Sequence, residues 1–114
     1  MLRKVVSFGF KHAPRPVEGP GFVVIDIRSL FRNPYHDRSL RPLTGLDQAV
    51  ADDVQLTPDF TAKYNFVKQQ ATAPGVEIAY IGCTGGRHRS VAIVEQLAKD
   101  LGVEREHRDL NHAD

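Results

Sequence analysis

VEIAYI–GCTGGRHRS, residues 76–90, is the stretch on which the fold turns. Its first six residues are mostly apolar and include two isoleucines, a valine and a tyrosine, the composition of a buried strand. The next nine hold three glycines, two hydroxyls and three basic side chains. Beyond Ser90 the period changes: Ile93, Val94, Leu97, Ala98 and Leu101 recur at helical spacing until Gly102 supplies a stop. A strand, a glycine-rich turn and a helix in that order make an α/β unit with a built-in place for an anion. The first backbone N–H groups of a helix lack partners, and the helix dipole favours negative charge there. Gly85 and Gly86 allow the backbone to curl so that successive N–H groups converge. Thr84 and Ser90 add hydroxyl donors, and Arg87, His88 and Arg89 add cations, a guanidinium gripping phosphate through paired hydrogen bonds. The plainer alternative is a tight turn whose basic residues face solvent. The coincidence of glycine, hydroxyl and cation at one junction argues against it.

Outward from this unit, residues 5–10 (VVSFGF) and 22–27 (FVVIDI) read as two more strands, the second apolar enough for cover on both faces. Residues 11–21, with three prolines and two glycines, are loop. Residues 28–46 form a long irregular segment with turn signals at Asn33-Pro34, Arg41-Pro42 and Thr44-Gly45; a loop of that length in a small domain tends to carry function. Asp47 caps a short helix to about Val54, and Thr57-Pro58-Asp59 has the hydroxyl, proline and carboxylate of a helix start. That helix puts Phe60, Tyr64, Val67 and Ala71 on one face and ends at Pro74-Gly75. Residues 103–110 alternate weakly, as an edge strand would. The expected fold is one α/β domain over residues 1–114, a mostly parallel four-stranded sheet flanked by helices with a strand–Gly-rich loop–helix anion site.

The whole-chain properties fit that fold. A length of 114 residues suits one domain with a real core, and 41% apolar with 25% charged residues is ordinary globular composition. No run approaches the roughly 20 apolar residues that span a bilayer. The N-terminus turns charged too soon for a signal peptide, so a cytoplasmic protein with no membrane partner is expected. A single cysteine, Cys83, excludes an internal disulfide. Fifteen basic against fourteen acidic residues give a net charge of +1, which does not by itself mark a nucleic-acid binder. Histidines 12, 36, 88, 107 and 112 have no ligand spacing, so neither a metal nor a cofactor is expected.

Two phosphate chemistries compete at residues 82–90. The nucleotide P-loop needs G-x-x-x-x-G-K followed by Ser or Thr, and this chain has no Lys-Ser or Lys-Thr pair, which argues against ATP hydrolysis. Cys83 and Arg89, with five residues between them and Ser90 following, match the C-x5-R-S spacing of cysteine-dependent phosphatases, where a thiolate attacks phosphorus and the arginine holds its oxygens. Such an enzyme needs a general acid, for which Asp26 and Asp109 are candidates. Gly82 stands where the tyrosine phosphatases have histidine, and a lone cysteine closing a strand is often just a small buried residue. Lys11 and His12 follow a strand and are placed to reach the same pocket or to remain a surface pair. Arg41 is placed either to clamp an anion or to pack on its own loop. Aromatics interleaved with the loop arginines are few, chiefly Phe31 and Tyr35.

Six ordered motifs carry a family resemblance: Phe8-Gly9-Phe10-Lys11-His12, Asp26-Ile27-Arg28, Asn33-Pro34-Tyr35, residues 40–47 (LRPLTGLD), residues 82–91 (GCTGGRHRSV) and His107-Arg108-Asp109-Leu110. Together they closely resemble the C-terminal domain of the RapZ/YvcJ family of bacterial RNase adapter proteins, across nearly the whole chain. Full-length members carry an N-terminal P-loop domain. This chain begins at the C-terminal domain, and Met1 fits a stand-alone protein. The resemblance implies non-enzymatic binding of a phosphorylated sugar, glucosamine 6-phosphate, in a pocket that would also take a phosphate or sulfate anion. It further implies contact with small RNA and a homo-oligomer. Thr84, Gly85, His88 and Arg89 would bind phosphate or sugar within the loop that Gly86, Arg87 and Ser90 complete, helped by Asp26 and Arg28. The Asn33-Pro34 segment contributes a histidine in some members. Here Tyr35 follows the proline and an extra residue precedes Asn33, so His36 is the histidine available. The segment after Asp47 is short and acidic and the C-terminus lacks a lysine-rich end, which weakens the RNA expectation.

Overall fold

The computed structural model describes residues 1–112. Strands β1 (Lys4–Gly9), β2 (Phe22–Asp26), β3 (Ile78–Cys83) and β4 (Glu104–His107) pair in the order β2-β3-β1-β4, and every neighbouring pair is parallel. Parallel neighbours need long crossovers. Helices α1 (Gln48–Gln55) and α2 (Phe60–Ala71) lie in the connection from β2 to β3, and α3 (Arg89–Leu101) carries the chain from β3 past β1 to β4.

The two-residue period of the strands decides what faces the helices. Val5 lies opposite Ala79, Ser7 opposite Ile81 and Ile25 opposite Ile81. The apolar residues of this set share one buried cluster with Val54, Tyr64, Val67, Ala71, Ile93, Val94 and Leu97, which are the helical stripes. Burying an aliphatic side chain of this size contributes about 1.5–3 kcal/mol. On the opposite face the rings of Phe8 and Phe10 meet edge-on at 4.8 Å above Gly82. A Cβ there would lie 2.4 Å from Phe8 Cζ, so the strand needs glycine at that position.

Several local expectations shift. The strand expected over 76–81 runs instead over Ile78–Cys83, because Gly82 and Cys83 pair with Phe8 and Gly9 of β1. β2 is an edge strand with Phe22 42% exposed, not one covered on both faces; beyond β3 its only bridge among the described residues is an isolated one from Phe22 to Gly19. Thr57 does not cap α2. Its hydroxyl donates to Val54 O (2.6 Å) and accepts from Arg32 N–H (2.8 Å), and Asp59 in a left-handed conformation (φ 58°) starts the helix instead. Asp47 does occupy the α1 N-cap, but its carboxylate accepts from Thr44 N–H (2.8 Å) rather than from the helix. Gly102, with φ 64°, ends α3 as read.

One buried polar group ties two strands to a helix. Ser7 is fully buried, its Oγ lies 2.7 Å from His107 Nδ1, and His107 Nε2 lies 2.7 Å from Glu95 Oε2. The serine–histidine–carboxylate order is that of a hydrolase triad. With no exposure at Ser7 it acts as a bracket joining β1, β4 and α3.

Candidate functional site

β1 ends at Gly9 and β3 at Cys83, side by side, so residues 84–88 leave the sheet at the carboxyl ends of its strands, where open parallel sheets bind ligands. Two glycines let the turn lie against β1. A Cβ on Gly9 would fall 2.4 Å from the Gly85 carbonyl carbon, and one on Gly86 (φ 75°) would fall 2.5 Å from Gly9 N. Phe10 N–H donates to Cys83 O (2.9 Å) and Lys11 N–H to Thr84 O (3.2 Å), which brings Lys11 beside the loop.

The long segment closes the site from the other side. Gly45 N–H donates to Arg87 O (2.8 Å), and a Cβ on Gly45 would fall 2.4 Å from both His88 O and Ala92 N; the segment docks directly on the first turn of α3. Within it, Pro34–His36 forms a 3-10 turn whose cap is Asn33, the Oδ1 of which accepts from Tyr35 N–H (3.1 Å). Arg41 Nε donates to Tyr35 O (2.6 Å) and its guanidinium lies 4.7 Å from the Tyr35 ring centroid. His88 Nε2 donates to Arg41 O (3.2 Å), which fixes that nitrogen as a protonated one.

These elements enclose a cavity of about 310 Å³ lined by Lys11, Asn33, Tyr35, Cys83, Thr84, Gly85, Arg87, His88 and Arg89. Lys11, Arg87 and Arg89 bring three permanent cations to its wall, and none of the described lining residues is a carboxylate. Its polar groups are therefore mostly donors. Asn33 has already committed its oxygen to Tyr35, so it offers a ligand N–H groups. Arg87 Nε also donates to Leu110 O (3.3 Å), and Arg89, 6% exposed, donates through Nη1 to Arg28 O (2.8 Å).

Of the residues expected at the site, Thr84, Gly85, Arg87, His88 and Arg89 line this cavity together with Cys83. Gly86 and Ser90 lie beneath it and engage the cysteine: Sγ accepts from Gly86 N–H (3.3 Å) and Ser90 N–H (3.5 Å) and lies 3.1 Å from Ser90 Oγ. Asp26 and Arg28 do not line it. They form a bidentate pair (2.7 and 3.0 Å) with the Arg28 guanidinium 4.0 Å from the Phe10 ring centroid, and touch the site only through the Arg28 carbonyl that Arg89 holds. Arg41 holds Tyr35 and His36 is exposed, and neither is among the lining residues. Asn33 and Tyr35, which the sequence marked as a motif without a role, are wall residues. The signal that points to them is the Asn-Pro pair, since asparagine caps and proline starts the turn that presents the tyrosine.

Both candidate acids are held ionised. Hydrogen bonds from Arg28 keep the Asp26 carboxyl below its ordinary range. At Asp109, 2% exposed, burial pushes the carboxyl up, but Arg108 and the Gly9 N–H (2.7 Å) outweigh burial and hold it low. Neither lines the cavity.

The family model of the RapZ C-terminal domain matches residues 1–114. The chain belongs to that family. A "Nucleotide-binding protein" of Rubrobacter xylanophilus is 42% identical over 93% of this chain, which covers 39% of that protein. "Nucleotide-binding protein glr4163" of Gloeobacter violaceus is 43% identical over 93% of the chain, again 39% of its length. "Nucleotide-binding protein TTHA0319" of Thermus thermophilus is 42% identical over 96%, or 43% of its length. The chain thus spans about two fifths of the length of the curated relatives it matches. In this RapZ C-terminal domain, no helix of the described residues is long and apolar enough to cross a membrane. Those residues also contain no group of three His, Cys, Asp or Glu placed to hold a metal ion.

Proposed function

We propose that the cavity binds a phosphorylated sugar of the glucosamine 6-phosphate kind, and that this cytoplasmic domain acts as a sensing module rather than as an enzyme. The observation that carries the proposal is a cavity of about 310 Å³ whose described lining residues supply three cations, a glycine-turn amide and a hydroxyl and include no carboxylate. That volume is at the small end of ligand pockets and suits a monosaccharide phosphate. The phosphate would sit on the Thr84–Gly85 backbone with Arg87 and Arg89 as guanidinium clamps. Asp26 would meet sugar hydroxyls or the amine only by turning from Arg28.

Calorimetric titration of glucosamine 6-phosphate into wild type, Arg87→Ala and Arg89→Ala tests this. Loss of one charge-assisted contact should weaken binding at least about tenfold. No heat from wild type, or unchanged affinity in both variants, refutes it. The wider family role, contact with small RNA by a homo-oligomer acting as a regulatory adapter, would use the rim pairs Arg41 on Tyr35 and Arg28 on Phe10 as stacking platforms. RNA affinity that ignores salt would count against it.

The contacts of Gly86 and Ser90 with the Cys83 sulfur favour a second reading, a cysteine-dependent phosphatase. The two candidate acids weigh against it, because both carboxyls are depressed and outside the cavity. Turnover of a chromogenic phosphate ester that disappears in Cys83→Ser would promote this reading, and no turnover from pH 5 to 8 would remove it.

A further inference from the structure

We infer that Tyr35 is the specificity element of the cavity, selecting a phosphate carried on a sugar ring over a bare phosphate or one on an open chain. The inference rests on the anion-binding reading above and adds to it the part of the ligand that the loop does not touch. Among the lining residues Tyr35 is the one phenyl-type ring, and it is 46% exposed although every structural bond around it is made. Its amide is held by Asn33, its carbonyl by Arg41 Nε, and buried Pro34 fixes the start of the turn. The Arg41 guanidinium stacks on the ring, and the His88 ring meets it edge-on at 6.5 Å. A side chain this restrained, yet left nearly half exposed against a cavity, is a prepared surface, because its ordering cost is met before any ligand arrives.

The chemistry of that surface differs from the rest of the wall. The loop, Lys11 and the arginines recognise charge and oxygen. The tyrosine ring presents a negative π face, which suits the C–H groups of a pyranose ring, and a hydroxyl for a sugar oxygen. Inorganic phosphate makes none of these contacts. His36, the adjacent residue, is exposed outside the lining, so the tight turn at Pro34–His36 gives the tyrosine this place and not the histidine.

The test titrates inorganic phosphate, glycerol 3-phosphate and glucosamine 6-phosphate into wild type, Tyr35→Phe and Tyr35→Ala. Wild type should bind the sugar phosphate about tenfold tighter than glycerol 3-phosphate, the scale of one stacked ring. Tyr35→Phe should keep most of that preference. Tyr35→Ala should abolish it while changing inorganic phosphate affinity less than about twofold. A preference that survives Tyr35→Ala overturns the inference, as does an equal loss for all three ligands, which would make the tyrosine merely structural. A wild type that binds none of them overturns the anion-binding reading itself.

Discussion

Replacing Asp109 by Asn should destabilise the domain by an amount that depends on pH in a defined direction. Asp109 is 2% exposed and its carboxylate accepts from Gly9 N–H at 2.7 Å and from Arg108 Nη2 at 2.8 Å and Nε at 3.1 Å. Arg108 in turn donates to the carbonyls of His12 and Pro14, so one carboxylate anchors the end of β1 and, through arginine, the loop that carries Lys11. Asparagine keeps an oxygen for Gly9 but loses the charge and cannot accept from both Arg108 nitrogens and Gly9 together. Each charge-assisted bond contributes about 1.5–3 kcal/mol, and breaking a buried pair costs about 3–5 kcal/mol. The Arg108 side chain is 24% exposed, so water screens part of the interaction. The expected loss at pH 7 is therefore about 2–3 kcal/mol, or roughly 8–12 °C in Tm for a domain of this size. Because the folded carboxyl is depressed, its stabilisation is complete above the unfolded value of about 4 and is lost as pH falls through the folded value. Urea unfolding followed by circular dichroism should show the gap between wild type and variant narrowing from pH 7 to about pH 3. A loss under about 0.5 kcal/mol at pH 7, the range of ordinary surface substitutions, would refute the reasoning. So would a gap that widens as pH falls.

Gly75→Ala and Gly86→Ala place the same methyl at two left-handed positions, φ 86° and 75°, with open space around the first and Gly9 N at 2.5 Å from the second. Thermal unfolding should show a cost of about 1–2 kcal/mol at Gly75 and at least about 2 kcal/mol more at Gly86; equal costs would contradict the close approach of loop and strand. The Tyr64 hydroxyl donates to Asp100 at 2.6 Å, and burial first, then this bond, raises its phenol well above the ordinary value. Tyr64→Phe should cost about 1 kcal/mol. It should leave the ultraviolet phenolate titration up to about pH 11 unchanged, because Tyr64 does not contribute to it.

The layout of the sheet was legible where the pattern is local and repetitive. Residues 5–9, 78–81 and the α3 stripe ending at Gly102 follow from composition and period alone. What misled was chemistry settled by distant partners. Thr57 looks like a cap, but its hydroxyl is taken by Val54 O and Arg32 N–H from the segment twenty-five residues earlier. β2 looks doubly covered because FVVI is apolar on both faces, and nothing in those residues records that the sheet ends there. The strand–turn–helix order at residues 78–101 was legible from glycine and period, whereas Asp26 and Arg28, assigned to the site by the family resemblance, pair with each other outside the cavity. The Asn-Pro pair marks the turn, but the place of Tyr35 in the wall also rests on Arg41 Nε holding its carbonyl and on the His88 ring meeting it edge-on, contacts that no local pattern records.

The most direct measurement is a crystal structure of the protein soaked with glucosamine 6-phosphate. The phosphate should lie within hydrogen-bond distance of the Gly85 N–H and the Arg89 guanidinium, with the sugar ring against Tyr35. An empty loop at saturating ligand, or a phosphate bound away from residues 84–89, would contradict the proposal.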